Sequence, residues 1–460
     1  MEFVRLCIAI ITITFIGWNI LYALSFRYKS NLHFSERLAV SYGLGLGFMS
    51  LGMIFFYFFN IGFTPLKIIT PWSALVLLNS IIYFRNHKKA TLTAAFKADD
   101  KNHRFLKTFF IIGIAFEAAY AFFRALIKPL ESYDAIAIYA IKAKIFYLSK
   151  SIPHDFFSRV TFVFPHPDYP LNIPLSETLI YLFLGNLNDQ LVKIIFPLYF
   201  VSILTVVYFG IRRFANSSYA LLFTFLLASV PQFSAYATNG YLDLPLSFYC
   251  LTSALFLFLW FQNREAVCFL MISAVMAGLA GWTKNEGFMY CAINIFMVVL
   301  FFIFDCREKI WSKLWYLFTY AFIIFAISLP WIIIKKSAGL VNDEISLINY
   351  SPANLISQSY KIVPIIYEFQ KQAFGFKKWN LLWIVLFFIL IVKRRFIFIA
   401  RERYVTIFLF LSVSGYILMY LINSSPIEWS LGRTWSRFLL HFLPLAVFWM
   451  ATILKEDPRL

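Results

Sequence analysis

The residues of this chain that could do chemistry are few, and most of them interrupt long apolar runs. Asp134 opens a stretch that continues through Lys142-Ala143-Lys144. A carboxylate there can act as a general base toward an acceptor hydroxyl or amine. It can equally be an N-terminal carboxylate favoured by the helix dipole. Lys142 and Lys144 lie two to three turns further along and either bind a phosphate or snorkel to lipid headgroups. The segment His166-Pro167-Asp168-Tyr169-Pro170 follows in the same long loop. Asp243 stands in Gly240-Tyr241-Leu242-Asp243-Leu244-Pro245, after a stretch from Ala215 that lacks any other charged residue. It caps the next helix, with Pro245 in the first turn, or orients a second catalytic group. No His or Asp at ligand spacing supports a metal cage, so no metal is assigned.

Two further groups point to phosphate. Gly281-Trp282-Thr283-Lys284-Asn285-Glu286-Gly287 places a lysine and a glutamate between apolar runs. As an exposed ion pair they would contribute only about 0–1 kcal/mol, so Lys284 reads more economically as a phosphate donor. Arg433 and Arg437 share a helical face that His441 continues. Arginine forks match phosphate oxygens, with interfacial anchoring as the alternative. Glu117, in mid-span with Arg124 two turns on, reads as a structural contact inside a bundle.

The elements that position these residues are membrane helices. The 460 residues are 61% hydrophobic and 14% charged, with mean hydropathy +0.74. Soluble domains average about 45–50% apolar and about 25% charged, so the chain is a polytopic membrane protein. Its +18 net charge comes from 41 basic and 23 acidic residues. The basic residues are scattered between apolar spans, which suits loop anchoring on anionic lipid and excludes a nucleic-acid binder. Cys7, Cys250, Cys268, Cys291 and Cys306 lie in or beside spans without paired spacing, as small apolar residues do.

A length criterion of roughly 20 apolar residues gives about 13 spans. They lie near 4–26, 38–59, 66–84, 105–127, 190–211, 216–234, 243–261, 265–282, 287–304, 313–334, 379–392, 404–422 and 437–454. The first has no small-residue cleavage site and is read as a retained span. Three regions follow: membrane helices over 1–104, a central module over 105–334 with an outer loop at 128–189, and 335–460 with a second outer loop and the last helices. Basic clusters at Arg27/Lys29/Arg37, Arg85 to Lys107, Arg212/Arg213, Arg307/Lys309/Lys313 and Lys393 to Arg403 fall on one side if 171–185 does not cross. That segment carries Pro174 and Glu177 and is expected to lie at the outer interface or to dip in and out. The amino terminus is then outside and the carboxyl terminus inside. Asp134, the His166–Pro170 segment, Asp243, Lys284/Glu286 and the Arg433/Arg437/His441 stripe all land on the outer face.

The order of these residues resembles the GT-C superfamily of polyprenyl-phosphate-sugar-dependent glycosyltransferases, which includes lipid A aminoarabinose transferases and protein O-mannosyltransferases. Asp134 falls in the first long outer loop, followed by the proline-bearing 171–185 segment, Arg212/Arg213 and Asp243. Tyr133-Asp134-Ala135, Pro167-Asp168-Tyr169-Pro170-Leu171, Gly240 to Pro245 and Trp282 to Gly287 look like motifs of bacterial GT-C members. The resemblance covers about 105–290, and three helices precede the superfamily's usual first span. It implies an all-α transmembrane bundle with extracytoplasmic juxtamembrane helices, in a bacterial inner membrane. It also implies inverting sugar transfer from a polyprenyl-phosphate donor, with Asp134 and Asp243 catalytic and Asp134 activating the acceptor. Lys142, Lys144, Lys284, Glu286, Arg433, Arg437 and His441 would surround the lipid phosphate, with His166, Asp168 and Tyr169 on the acceptor side. The acceptor, whether glycan, lipid or protein, does not carry over, and the Asp-x-Asp-like pairing of metal-dependent members is missing.

Two other classes remain. A lipid-linked sugar or polysaccharide transporter (a flippase) would show internal repeats and midplane charges, neither of which is visible. A glycan ligase or polymerase would carry basic residues in a late outer loop. Residues 335–378 hold Lys335, Lys336, Lys361, Lys371, Lys377 and Lys378 but no arginine.

Overall fold

The computed structural model describes residues 1–25, 32–85, 104–158, 166–305, 309–341, 351–394 and 402–455. Arg27, Lys29, Lys88, Lys89, Lys97, Lys101, Arg307, Arg395, Arg401 and Cys306 lie outside them. The described residues form helices joined by turns. The first four are α1 (Glu2–Ser25), α2 (Phe34–Phe58), α3 (Pro65–Arg85) and α4 (Arg104–Ile127). A π-helical turn (Ala135–Ala140) leads into α5 (Ile141–Ser149), then come α6 (Asn172–Leu184), α7 (Ile195–Arg212), α8 (Ser217–Ala228) and α9 (Pro231–Tyr236). The central group is α10 (Asp243–Gln262), α11 (Val267–Thr283), α12 (Glu286–Phe304) and α13 (Ile310–Ser337). Three short helices, α14 (Pro352–Ser357), α15 (Ile362–Ala373) and α16 (Phe376–Trp379), precede α17 (Leu382–Val392), α18 (Arg403–Ile422) and α19 (Ile427–Lys455).

Ten of these helices are long and apolar enough to cross a membrane, so the protein is an integral, multi-pass one. The expected count of about 13 exceeds this, because three sequence-read spans form helices of 12, 17 and 11 residues: α8, α11 and α17. Pro231 is one cause. It starts the separate α9 after the break at Ser229–Val230, since an interior proline would lose a backbone hydrogen bond.

The packing centre is α10. Every residue of its apolar window is buried, and it packs on α7, α11, α12 and α19. The segment expected at the outer interface is enclosed by protein. It forms the 13-residue α6, about 20 Å long and so too short to cross a bilayer core of roughly 30 Å. Yet Asn172 to Leu182 are all buried, against α1, α2, α5 and α11. Its side chains explain this. Asn172 bonds Ser50 of α2 and Thr283 of α11, while Arg5 of α1 bonds the Leu184 carbonyl at the other end. Such internal partners replace the water that an interfacial helix would need.

Candidate functional site

The first residue of α10 organises the site. The chain turns at Gly240, whose φ of 82° favours glycine, and a Cβ there would meet the Leu130 and Ala135 side chains at 2.7 and 3.0 Å. The turn therefore presses the start of α10 onto the segment that carries Asp134. Neither aspartate caps its own helix. Asp134 Oδ2 instead accepts from Arg437 Nη1 at 2.5 Å.

Asp243 is fully buried and shared by three partners. Its Oδ1 meets Lys284 Nζ at 3.0 Å and His441 Nε2 at 2.8 Å. Its Oδ2 accepts from Arg437 Nε at 3.1 Å, and Arg437 Nη2 lies at the same distance as an ion-pair contact. Lys284 also pairs with Glu286 Oε1 at 2.8 Å. His441 continues through Nδ1 to the Tyr416 hydroxyl at 2.5 Å, and Tyr416 bonds Tyr290 at 3.3 Å. The ring of Tyr241 lies 4.8 Å from the Arg437 guanidinium carbon. Three carboxylates are thus balanced against Arg437, Lys284 and a histidine in one buried network.

Local sequence explains how Lys284 arrives there. It follows the last residue of α11, and α12 begins at Glu286. A Cβ on Gly287 would fall 1.9 Å from the Ala280 carbonyl oxygen, so only glycine permits this reversal. The end of α11 is held by Asn172 Nδ2 on Thr283 Oγ1 at 2.8 Å and by Trp282 Nε1 on Ser50 Oγ at 2.9 Å.

A cavity of about 1300 Å³ opens beside the network. Asp134, Glu286, Arg437, Arg433 and Lys335 face it, together with aromatic side chains such as Tyr241 and Trp429. Asp243, Lys284 and His441 stand behind this wall. The cavity-facing cations differ in their pairing. Arg437 is held by two carboxylates, but Arg433 stacks 4.6 Å over Trp429 and pairs with no carboxylate among the described residues. Lys335, in the last turn of α13, lies 3.8 Å from Asp168. The sequence reading placed Lys335 in a loop and missed it. Its signal was its position just beyond the apolar run of α13.

The loop candidates form a side wall. His166 and Tyr169 line the cavity with rings stacked at 4.7 Å, and Asp168 accepts from Asn285 at 2.7 Å. Lys142 is buried and donates to the His166 carbonyl at 2.8 Å. Burial pushes its pKa down to about 7, with Asp168 opposing the shift. Lys144 does not join the site; it pairs with Asp189 at 2.6 Å, beside Tyr181. Burial also raises the phenols of Tyr139 and Tyr241, which keeps them protonated. Among the described residues no three His, Cys, Asp or Glu side chains are grouped to hold a metal ion.

Residues 168–334 match the family model described as dolichyl-phosphate-mannose-protein mannosyltransferase. The structure is similar to two crystal structures of ArnT from Cupriavidus metallidurans, one bound to undecaprenyl phosphate and one in the apo state. Each shows 15% sequence identity and a TM-score of 0.52, over 77% and 76% of this chain respectively. The chain has the GT-C fold. It spans 61% of the length of ArnT, and no curated protein matches it in sequence. Within the GT-C fold, the family match takes in Asp168, Asp243, Lys284 and Glu286 and leaves out Asp134, Arg433, Arg437 and His441. Contacts made by α19 supply that missing half, since Arg437 and His441 reach Asp243 from nearly 200 residues away.

Proposed function

We propose that the protein transfers a sugar from a polyprenyl-phosphate donor to an acceptor hydroxyl or amine, with inversion, on the extracytoplasmic face of a bacterial inner membrane. One observation carries this reading: a carboxylate, Asp134, faces the same cavity as two incompletely paired cations, Arg433 and Lys335. That combination suits a base working opposite an anionic leaving group. The fold similarity to a protein crystallised with undecaprenyl phosphate supports the donor class.

In the step itself, Asp134 takes the proton of the acceptor. The acceptor oxygen or nitrogen attacks the anomeric carbon from the face opposite the phosphate. The bond between that carbon and the phosphate oxygen breaks, and its electron pair leaves with the lipid phosphate. Arg437 stabilises the charge that develops there, while Arg433 and Lys335 hold the phosphate at the mouth of the cavity. Asp243, both of whose oxygens are occupied, serves as an anchor for Arg437 rather than as a second base. Lys284, Glu286 and His441 hold that anchor. His166 and Tyr169 present a stacked wall on which a sugar or acceptor can rest.

The test is transfer from a radiolabelled polyprenyl-phosphate sugar in membranes. Asp134→Asn is expected to abolish product while leaving the amount of folded protein unchanged. Undiminished turnover in that variant removes Asp134 from the mechanism. Flipping of the labelled lipid in reconstituted vesicles, without a glycosidic product, would favour transport instead.

A further inference from the structure

We infer that Arg437 is an exchangeable clamp, whose Nη1 passes from the Asp134 carboxylate to the phosphate of the donor, so that donor binding frees Asp134 for the acceptor. The inference rests on the sugar-transfer reading and adds an order of events to it.

The geometry divides the guanidinium into a fixed edge and a movable one. Nε and Nη2 both rest on Asp243 Oδ2 at 3.1 Å. Asp243 has no exposed surface, and Lys284 and His441 hold its other oxygen. Tyr241 covers one face of the group. That edge has nowhere to go. Nη1 instead meets Asp134, whose side chain is 20% exposed and lines the cavity. Of the two carboxylate contacts made by Arg437, this is the one that lines the cavity.

Asp134 Oδ2, which accepts Nη1 at 2.5 Å, directs a lone pair at the arginine and away from an incoming hydroxyl, and it is this oxygen that the exchange frees. A general base must lie within hydrogen-bond reach of the proton it removes. As the structure stands, Oδ2 of Asp134 is therefore engaged. A phosphate oxygen is an equally good partner for Nη1, because arginine binds carboxylate and phosphate in the same planar manner. Arg433, stacked on Trp429 four residues before Arg437, and Lys335 supply the attraction that brings the phosphate into range. With Nη1 on the phosphate, Asp134 is released and the Asp243 edge stays in place. The lipid phosphate product carries one more negative charge than the glycosyl donor, so it keeps Nη1 until it departs. The clamp then closes on Asp134 again. Donor binds before acceptor.

The experiment measures equilibrium binding of a short-chain polyprenyl monophosphate to the full chain in detergent. Four proteins are compared: wild type, Asp134→Asn, Arg437→Lys and the double variant. Exchange means that Asp134 competes with the phosphate for Nη1. Asp134→Asn should then tighten binding by about fivefold or more, as expected for coupled contacting groups. In the Arg437→Lys background, where no Nη1 exists, the same change should alter affinity by less than about twofold. Equal tightening in both backgrounds points to simple charge repulsion and overturns the exchange. Unchanged affinity on Asp134→Asn overturns it as well. Infrared difference spectra need only wild type and Asp134→Asn, so they decide the matter even if Arg437→Lys fails to fold. Adding the phosphate should shift a carboxylate stretching band in wild type that Asp134→Asn lacks, and its absence rejects the clamp. Binding without either signature leaves sugar transfer standing. If wild type binds no polyprenyl phosphate, the clamp and the donor assignment fall together, and the transfer assay registers the latter independently.

Discussion

The two ends of α10 use the same kinds of residue to different effect. Beyond its carboxyl end, Arg264 pairs with Asp305 at 2.8 Å, and its guanidinium carbon lies 4.3 Å from the Trp260 ring and 5.1 Å from those of Phe301 and Phe302. At the same end of the bundle, Arg213 of the α7 cap meets the buried Glu36 of α2 at 2.8 Å. Each is a pair sealed into the structure. At the amino end, Asp243 serves three partners, and the network continues to Asp134 on a cavity wall. A buried ion pair is therefore poor evidence of a site. Sharing one acid among several cations, with incompletely paired charge across a cavity, is the better mark.

Asp243→Asn tests the shared end with the largest expected effect. It leaves Arg437 and Lys284 buried against a neutral amide. Breaking a buried pair from one side costs about 3–5 kcal/mol, so thermal denaturation in detergent should begin well below wild type. Transfer should also be lost, because the edge that fixes Arg437 is gone. Arg264→Ala at the sealed end should cost about 3 kcal/mol by the same measurement, through its charge and its ring contacts. Turnover per folded molecule should stay at the wild-type level. Loss of turnover in Arg264→Ala would erase the distinction between the ends.

Much of the shared end was legible in the sequence. Asp243, Lys284, Arg437 and His441 stood out because a charge at the edge of an apolar run is costly and so is rarely idle. The helical rule put Arg437 and His441 on one face of α19, and both reach the same aspartate. Their partners were not legible, since Asp134 and Arg437 are 303 residues apart and no local pattern joins them. Lys284 shows the consequence. Spacing alone could not tell a phosphate donor from a lysine already held between Asp243 and Glu286. Lys335 was passed over because α13 runs on to Ser337, beyond its apolar stretch. The burial of α6 was hidden for a related reason: Asn172 argues for a wet surface until its partners on α2 and α11 are known.

A smaller effect separates cations that face the cavity from those behind its wall. Arg433→Ala and Lys335→Ala should each raise the KM for the lipid-phosphate donor by about tenfold, the equivalent of one charge-assisted contact, with kcat changed less. Neither should move the denaturation midpoint appreciably, since Arg433 is exposed and Lys335 half-buried. A fall in kcat without a change in KM would place these residues at the reacting atoms and not at the mouth.

A last effect concerns pH, and it too divides the ends. A pair built on arginine offers no pH lever, because the guanidinium group as a class does not deprotonate in proteins. Behind the cavity wall, Lys142 has a pKa brought down to about 7 by burial, against an unfolded value of about 10.4. Below pH 7 the lysine is protonated in both states and its burial penalty is in full force. Between about pH 7 and about pH 10 the folded protein holds fewer protons than the unfolded chain, so stability rises with pH. Lys142→Met has no such group and should lack that rise. The denaturation midpoint of wild type relative to Lys142→Met should therefore climb from pH 6 to pH 10. A flat difference would mean that Asp168 keeps the lysine charged. The His166 carbonyl would then be held by an ammonium, and the side wall would belong with the ion pairs of the sealed end.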